Sequence, residues 1–149
     1  KKPTPEQFHD TCNEFWWCLN NVAKGLWRKE IPYVMDMVNI YVRPMITRIV
    51  EWKIGVDNHF SVSAGKCAKY MERYVSEDIY RRYLATYSSA ETEAIWDSVL
   101  GMCDLFHEIA AELSEAMDYP YDNTEAENGR AYLEHVRRLP EDAKEIYPD

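Results

Sequence analysis

The chain has 149 residues, 46% hydrophobic, 13% aromatic and 29% charged, the makeup of one globular domain rather than of a disordered or fibrous chain. Seventeen Lys plus Arg against 26 Asp plus Glu give a formal charge of −9, which disfavours nucleic-acid or anionic-membrane partners and suits a cationic ligand. With 5 Gly and 7 Pro, and no apolar run near the roughly 20 residues of a membrane span, the sequence reads as soluble with few tight turns.

Apolar residues recur three or four apart along most of the chain, so the fold is expected to be all-α, a bundle of about five to six helices. Lys1-Lys2-Pro3-Thr4-Pro5 lacks the apolar core of a leader and reads as a linker; the missing Met suggests a fragment or a processed chain. Phe8, Cys12, Phe15, Leu19, Val22 and Leu26 give a first helix one apolar face as far as Glu30, entered at Thr4 or Pro5. Pro32 suits the first turn of a second long helix lined by Val34, Val38, Tyr41, Val42, Met45, Ile49 and Trp52, which Pro44 should bend. Gly55 to Ser63 reads as a loop whose Ser61 and Ser63 can cap a short helix over Ala64–Tyr74. Ser76, followed by Glu77 and Asp78, caps another from about Ile79 to Tyr87, and Ser88-Ser89 breaks it. Ile95, Val99, Met102, Phe106, Ile109 and Leu113 form the strongest stripe, ending near Met117 at Asp118-Tyr119-Pro120. Asn123 or Thr124 caps a last helix through Arg137. A helical domain over residues 1–140 and a fraying charged tail over 141–149 complete the expectation.

Cys12, Cys18, Cys67 and Cys103 have neither Cys-x-x-Cys spacing nor the density of a disulfide scaffold and read as reduced thiols in cytoplasm. There is no phosphate-binding Gly-rich loop, no Gly-x-Ser-x-Gly elbow and no His-Glu-x-x-His motif. No two aspartates stand two apart to share a magnesium ion, and Glu91-x-Glu93 and Glu125-x-Glu127 lie at helix starts, where the macrodipole accounts for them. Cys103 and His107 offer zinc two ligands, which is too few. No metal ligand and no catalytic residue is therefore assigned. Arg130 and His135 have the spacing of some helical ribonucleases, an alternative reading. A free-standing helical protein-interaction module is another.

The first helix carries more polar and aromatic groups than a core needs. Asn13, Trp16 or Trp17, Asn20 and Lys24 fall near one stripe, while Phe15, Leu19, Val22 and Leu26 take the buried face. A lysine there can meet phosphate oxygens, and carboxylate and amide groups beside indole can receive ammonium or guanidinium groups. Ser61-Val62-Ser63-Ala64-Gly65-Lys66 is a second candidate, where small residues ahead of a helix start allow backbone amides and an ammonium to converge on an anion.

Asn13-Glu14-Phe15-Trp16 with Val22-Ala23-Lys24-Gly25-Leu26-Trp27-Arg28-Lys29-Glu30 resembles the carboxyl-terminal half of the aminoglycoside 6-adenylyltransferases, the streptomycin-modifying enzymes. Trp52-Lys53-Ile54-Gly55, Ser63-Ala64-Gly65-Lys66 and Glu72-Arg73-Tyr74-Val75-Ser76-Glu77-Asp78 extend the likeness collinearly over about residues 1–117. The resemblance implies a two-domain antibiotic-resistance transferase that moves AMP from ATP to a streptomycin hydroxyl with magnesium. Its amino-terminal nucleotidyltransferase domain would hold the catalytic carboxylates and is absent from this chain. Lys1-Lys2-Pro3 then resembles the junction between the two domains, and this chain alone is expected to be inactive. The resemblance also implies that Lys66, and secondarily Lys24, reach the ATP phosphates. Glu14, Trp16, Asp36 and Asn39 would form the aminoglycoside wall, acids and amides satisfying guanidinium donors beside an indole face.

Overall fold

The computed structural model describes residues 1–147. Helix α1, Pro5–Trp27, starts in a reciprocal cap: Thr4 Oγ1 accepts from Gln7 N–H at 3.1 Å and Gln7 Oε1 accepts from Thr4 N–H at 2.9 Å. It ends where Lys29 turns left-handed, φ 59°, and Glu30 N–H returns to Gly25 O at 2.9 Å.

A second helical run spans α2, Ile31–Asp36, a π-helical segment, Met37–Val42, and α3, Arg43–Asp57. The disturbance expected at Pro44 takes the form of this π segment just before it. Proline has no N–H to offer the carbonyl one turn back, and the ladder widens so that Arg43 N–H bonds Val38 O, five residues away. The run also extends further than expected: Gly55 lies inside α3, which closes when Asn58 N–H and Nδ2 both reach Ile54 O, at 3.1 and 2.9 Å.

The expected helix over Ala64–Tyr74 is instead a three-residue 3-10 turn, Lys66–Ala68, and a single turn, α4, Met71–Tyr74. Cys67 and Ala68 both adopt left-handed φ, 56° and 54°, after Gly65 at 79°, so no continuous helix can pass through them. Helix α5, Glu77–Leu84, is capped by Ser76 Oγ, which accepts from Ile79 N–H at 3.1 Å. It stops short of Tyr87 because Thr86 N–H and Oγ1 both turn back to Tyr83 O, at 3.0 and 2.6 Å. Helix α6, Thr92–Met117, closes on a left-handed Asp118 with Tyr119 N–H on Ser114 O at 3.0 Å. Helix α7, Asn123–Arg137, is capped by Asp122, whose Oδ1 accepts from the N–H groups of Thr124 and Glu125 at 2.9 and 3.3 Å. A side chain one residue ahead of Asn123 thus serves the first turn.

Backbone neighbours run in a ring: α1 packs on α7, α7 on α6, α6 on α3, and α3 on α1. Across the diagonal α1 and α6 meet through large rings, Phe15 stacked on Phe106 at 3.7 Å with planes 4° apart, and Trp16 edge-on to both at 5.0 and 6.0 Å. Cation pairs then lace the outside, Arg137 to Glu93 and Asp97, Arg130 to Asp104 and Glu134, and Lys53 to Asp57 and Glu112. As exposed pairs these are worth roughly 0–1 kcal/mol each, so register comes mainly from the buried rings. The tail folds back on α7 as far as Tyr147, whose ring stacks on His135 at 4.4 Å while His135 Nε2 meets Ile146 O at 2.6 Å.

Two glycines on neighbouring helices separate packing from propensity. A Cβ on Gly129 would lie 2.6 Å from Trp16 Cε3, whereas one on Gly101 meets nothing within 4 Å. Gly101→Ala is expected to stabilise by about 0.5–1 kcal/mol through helix propensity. Gly129→Ala should gain the same and still lose about 1–3 kcal/mol to overpacking against a ring that cannot yield. Opposite shifts of the urea midpoint check both.

All four cysteines are free thiols; Cys12, Cys18 and Cys103 are buried and Cys67 is exposed. Burial, reinforced by the charge of Glu125, pushes the Cys12 thiol up to about 12, and burial pushes Cys103 up as well. One thiol of the four should therefore react with a chromogenic disulfide reagent at neutral pH, and all four in denaturant. Because Cys12 keeps its proton longer folded than unfolded, its contribution to stability is full below pH 9.0 and is lost as pH rises toward about 12. Urea midpoints should fall across that window, and less steeply in Cys12→Ala.

Candidate functional site

Two clefts flank α1, and Glu14 stands on the rim of both. The first, about 830 Å3, opens between the early turns of α1, the middle of α3 and the loop over 58–64. Gln7, Asp10, Thr11 and Glu14 on α1 and Met45, Arg48 and Trp52 on α3 recur three or four apart, so each set presents one face to the opening. Phe60 closes the far end. Its N–H bonds Gly55 O at 2.7 Å and its ring covers Gly55, where a Cβ would come within 2.4 Å of Phe60 Cε1. That close approach fixes the loop, so Ser63 and Ala64 complete the wall.

Charge in this cleft is mixed. Asp10, Glu14 and Glu51 supply carboxylates, and Lys1, Lys2 and Arg48 supply cations. Arg48 Nη1 donates to Thr11 Oγ1 at 3.1 Å, which ties α3 to α1 across the floor. Burial holds the Glu51 carboxyl above the usual range, against the opposing pull of Arg48. Lys66 stands two residues past Ala64, outside the cleft lining, and is exposed. The backbone amides expected to share an anion with it are largely committed: Gly65 N–H to Ser63 Oγ at 3.1 Å, Ala68 N–H to Gly65 O at 3.0 Å and Tyr70 N–H to Ala64 O at 2.8 Å. An anion at this turn would be met by the ammonium of Lys66 more than by a helix start.

The second cleft, about 880 Å3, lies between α1 and the first turns of α7. Glu14, Asp122 and Glu125, the amides of Asn13, Asn20 and Asn128, and the rings of Trp17, Tyr132 and Tyr147 line it. The indole of the tryptophan pair that faces solvent is Trp17, 69% exposed; Trp16 is 4% exposed, packed into the core with only an edge at the cleft. Among the described residues Trp16 Nε1 has no well-formed hydrogen-bond partner, although the Tyr121 phenol lies beside it. The helix register explains the swap: Trp16 follows Phe15 onto the side where Gly129 leaves room for a ring.

The expected site residues thus divide. Glu14 lines the first cleft, Glu14 and Trp16 share the second, and Lys66 lies two residues beyond the Ala64 wall and lines neither. Lys24 is exposed near the end of α1 and lines neither. Asp36 and Asn39 are exposed where α2 passes into the π segment and also line neither. Asn39 Oδ1 accepts from Arg43 Nε at 3.2 Å. Arg43, absent from the sequence reading, is 8% exposed; its guanidinium donates to Thr86 Oγ1 and O at 2.8 and 3.1 Å and lies 3.6 Å over the Tyr87 ring. An arginine in an apolar helix stripe was the available signal. Arg48 and Glu51 interrupt the same helix and were equally open to notice; Asp122, Tyr132 and Tyr147 were not, since only the tertiary fold brings them to α1.

Arg130 is held by Asp104 and Glu134, and His135 by Ile146 O and the Tyr147 ring, so the pair singled out for phosphate chemistry is engaged in structural contacts. Cys103 is buried and His107 Nδ1 bonds the Tyr121 hydroxyl at 2.8 Å. Among the described residues no three His, Cys, Asp or Glu side chains converge as a metal cage, and no helix is long and apolar enough to cross a membrane.

Comparison with known proteins gives a consistent result. Residues 1–136 match the streptomycin adenylyltransferase family. Aminoglycoside 6-adenylyltransferases from Campylobacter jejuni and Bacillus subtilis are 39% and 37% identical over 121 residues, 81% of this chain and 42% and 43% of theirs. The Staphylococcus aureus enzyme of that name is 35% identical over 125 residues, 84% of this chain and 44% of its own. The chain therefore spans less than half the length of these curated relatives. The crystal structure of an aminoglycoside 6-adenyltransferase from Bacillus subtilis superposes with a TM-score of 0.84 at 34% identity, covering 93% of this chain and 52% of that one. Sequence and architecture agree, and the chain belongs to the streptomycin adenylyltransferase family.

Proposed function

We propose that this chain is the helical, substrate-binding part of an aminoglycoside adenylyltransferase, acting in the cytoplasm with an amino-terminal nucleotidyltransferase domain. The whole protein transfers AMP from ATP to a hydroxyl of an aminoglycoside of the streptomycin type, and ATP and magnesium are held chiefly by that other domain. The observation that carries the reading is the cleft between α1 and α3, where Asp10, Glu14 and Glu51 face one opening and the Ser63–Ala64 wall stands two residues before Lys66.

The chain's own residues bind and orient. Glu14, with Asp10 and Glu51 nearby, attracts the cationic groups of the drug, and their attraction strengthens as the closing cleft excludes water. Lys66 contacts the triphosphate from the exposed turn, with Lys24 as a second phosphate contact. Asp36 and Asn39, exposed outside this cleft at the π segment, give the drug a separate contact, Asn39 steadied by Arg43, and Trp16 offers it an edge of its indole in the cleft between α1 and α7. The rate advantage assigned to this half is that of positioning two reactants.

Two measurements test this. With ATP, magnesium and a panel of aminoglycosides, the intact gene product should release pyrophosphate in the presence of streptomycin and the isolated chain should release none. Release by the isolated chain, or none by the intact product, overturns the proposal. In the intact product Lys66→Ala should raise the KM for ATP about tenfold or more, the worth of one charge-assisted bond, and leave the KM for the drug unchanged. Unaltered ATP kinetics would remove the phosphate role.

A further inference from the structure

The segment ahead of α1 borders the first cleft, with Lys1, Lys2 and Thr4 in its lining, and one side chain from just beyond the end of α6 holds it there. Tyr119 Oη donates to Pro3 O at 2.7 Å, joining residues 116 apart in the chain. The Lys2 ammonium lies 5.4 Å from the centre of the Tyr119 ring, and the same ring meets Phe8 of α1 at 6.0 Å. Pro3 is buried although Lys2 and Thr4 on either side are exposed. Closure of α6 needs none of these contacts. After the left-handed Asp118, Tyr119 N–H bonds Ser114 O at 3.0 Å and Ser114 Oγ donates to Tyr119 O, so the Tyr119 backbone serves the cap and its phenol is left to reach another element. The stretch it reaches has few shapes available. Pro3 and Pro5 fix their own φ and favour extended backbone at Lys2 and Thr4, and Thr4 has φ −75° and ψ 160°. One hydrogen bond at Pro3 O, between the two proline rings, therefore sets the direction of the whole stretch.

We infer that Tyr119 is a positioning residue, a clasp that holds Lys1–Pro3 against the bundle so that the chain enters α1 along one path beside the first cleft. The clasp itself is complete within this chain. Its kinetic consequence rests on the transferase reading, in which this stretch joins the helical part to the nucleotidyltransferase domain. There the alignment of ATP with the drug depends on the path of the joining segment, and Tyr119 restricts that path from outside the cleft lining. A group that touches neither reactant and limits how they are brought together acts on the rate of the aligned complex more than on the affinity for either partner. The hydroxyl carries the larger share, because the Lys2 contact is made by an exposed ammonium.

Two measurements test the clasp and its role. Thr4 N–H, next to Pro3 O and bonded to Gln7 Oε1 at 2.9 Å, reports on how firmly the segment is seated. In the chain itself, amide exchange followed by NMR should be about fivefold faster at Thr4 in Tyr119→Phe, the worth of one hydrogen bond, and unchanged at Ile79, whose N–H bonds the Ser76 cap on another helix. In the intact gene product Tyr119→Phe should lower kcat about fivefold and Tyr119→Ala further, with the KM for ATP and for streptomycin each within about twofold of the parent. Ile79→Val, a core truncation away from this segment, should leave kcat within about twofold. Unaltered exchange at Thr4 in Tyr119→Phe overturns the clasp. Faster exchange with unaltered kcat, a change in KM in place of kcat, or an equal loss of kcat in Ile79→Val overturns the positioning role. A gene product that releases no pyrophosphate with any aminoglycoside fails the transferase reading instead, and the Thr4 amide alone then decides the clasp.

Discussion

Phe15 stacked on Phe106, with Trp16 edge-on to both, joins α1 to α6 across the diagonal of the helix ring. Phe15 and Phe106 are fully buried, and their contact sets how far apart the other helices must stand. Helix α7 comes close to α1 only because Gly129 presents no side chain to the Trp16 ring. Once α1 is seated in this way its early turns have α3 on one side and α7 on the other. A long helix held at its middle and overhung at neither flank leaves an opening along each, which is the origin of both clefts.

The run from Ile31 to Asp57 shows how one proline reorganises a surface. Widening into a π segment ahead of Pro44 shifts the helix register, so that residues before and after it face different neighbours. Downstream, Met45, Arg48 and Trp52 look into the first cleft; at the segment itself, Asn39 and Arg43 look toward the end of α5. Among the described residues Arg43 is buried with no carboxylate partner. Its charge is compensated by the hydroxyl and carbonyl of Thr86, the Asn39 amide and the Tyr87 ring. The same contacts end α5 at Leu84, so a single guanidinium links the bend in one helix to the termination of another.

Charge is distributed with the same economy. On the α6 and α7 seam, acids and arginines pair, and the net negative charge of the chain is not felt there. Around α1 the acids Asp10, Glu14, Asp122 and Glu125 form no ion pairs among the described residues; Lys1, Lys2 and Arg48 balance the acids of the first opening, and the negative potential concentrates at the second, whose lining holds no Lys or Arg. A concave, low-dielectric surface focuses such a field. The preference for cationic ligands suggested by a formal charge of −9 is thereby localised to particular walls.

The helical class, the extents of α1 and α6 and the caps at Thr4 and Ser76 were legible because they depend on neighbours within one or two turns, where periodicity and capping chemistry act. Glu14 and the Ser63–Lys66 stretch stood out for the same local reason, as polar groups where a core helix or a loop does not need them. Left-handed Cys67 and Ala68 and the extension of α3 past Gly55 lie in stretches rich in turn formers, where local pattern does not choose between a helix and a turn. The capture of Thr86 by Arg43 joins segments 43 residues apart, and no short window of sequence contains both partners. Which tryptophan faces solvent was decided in the same way, since Trp16 and Trp17 are chemically equivalent until Gly129 opens a space beside one of them. The sequence by itself determined what kinds of helix could form and what chemistry their surfaces carried; tertiary packing alone decided which polar side chains share an opening, because that depends on the distances at which rings and glycines let helices meet.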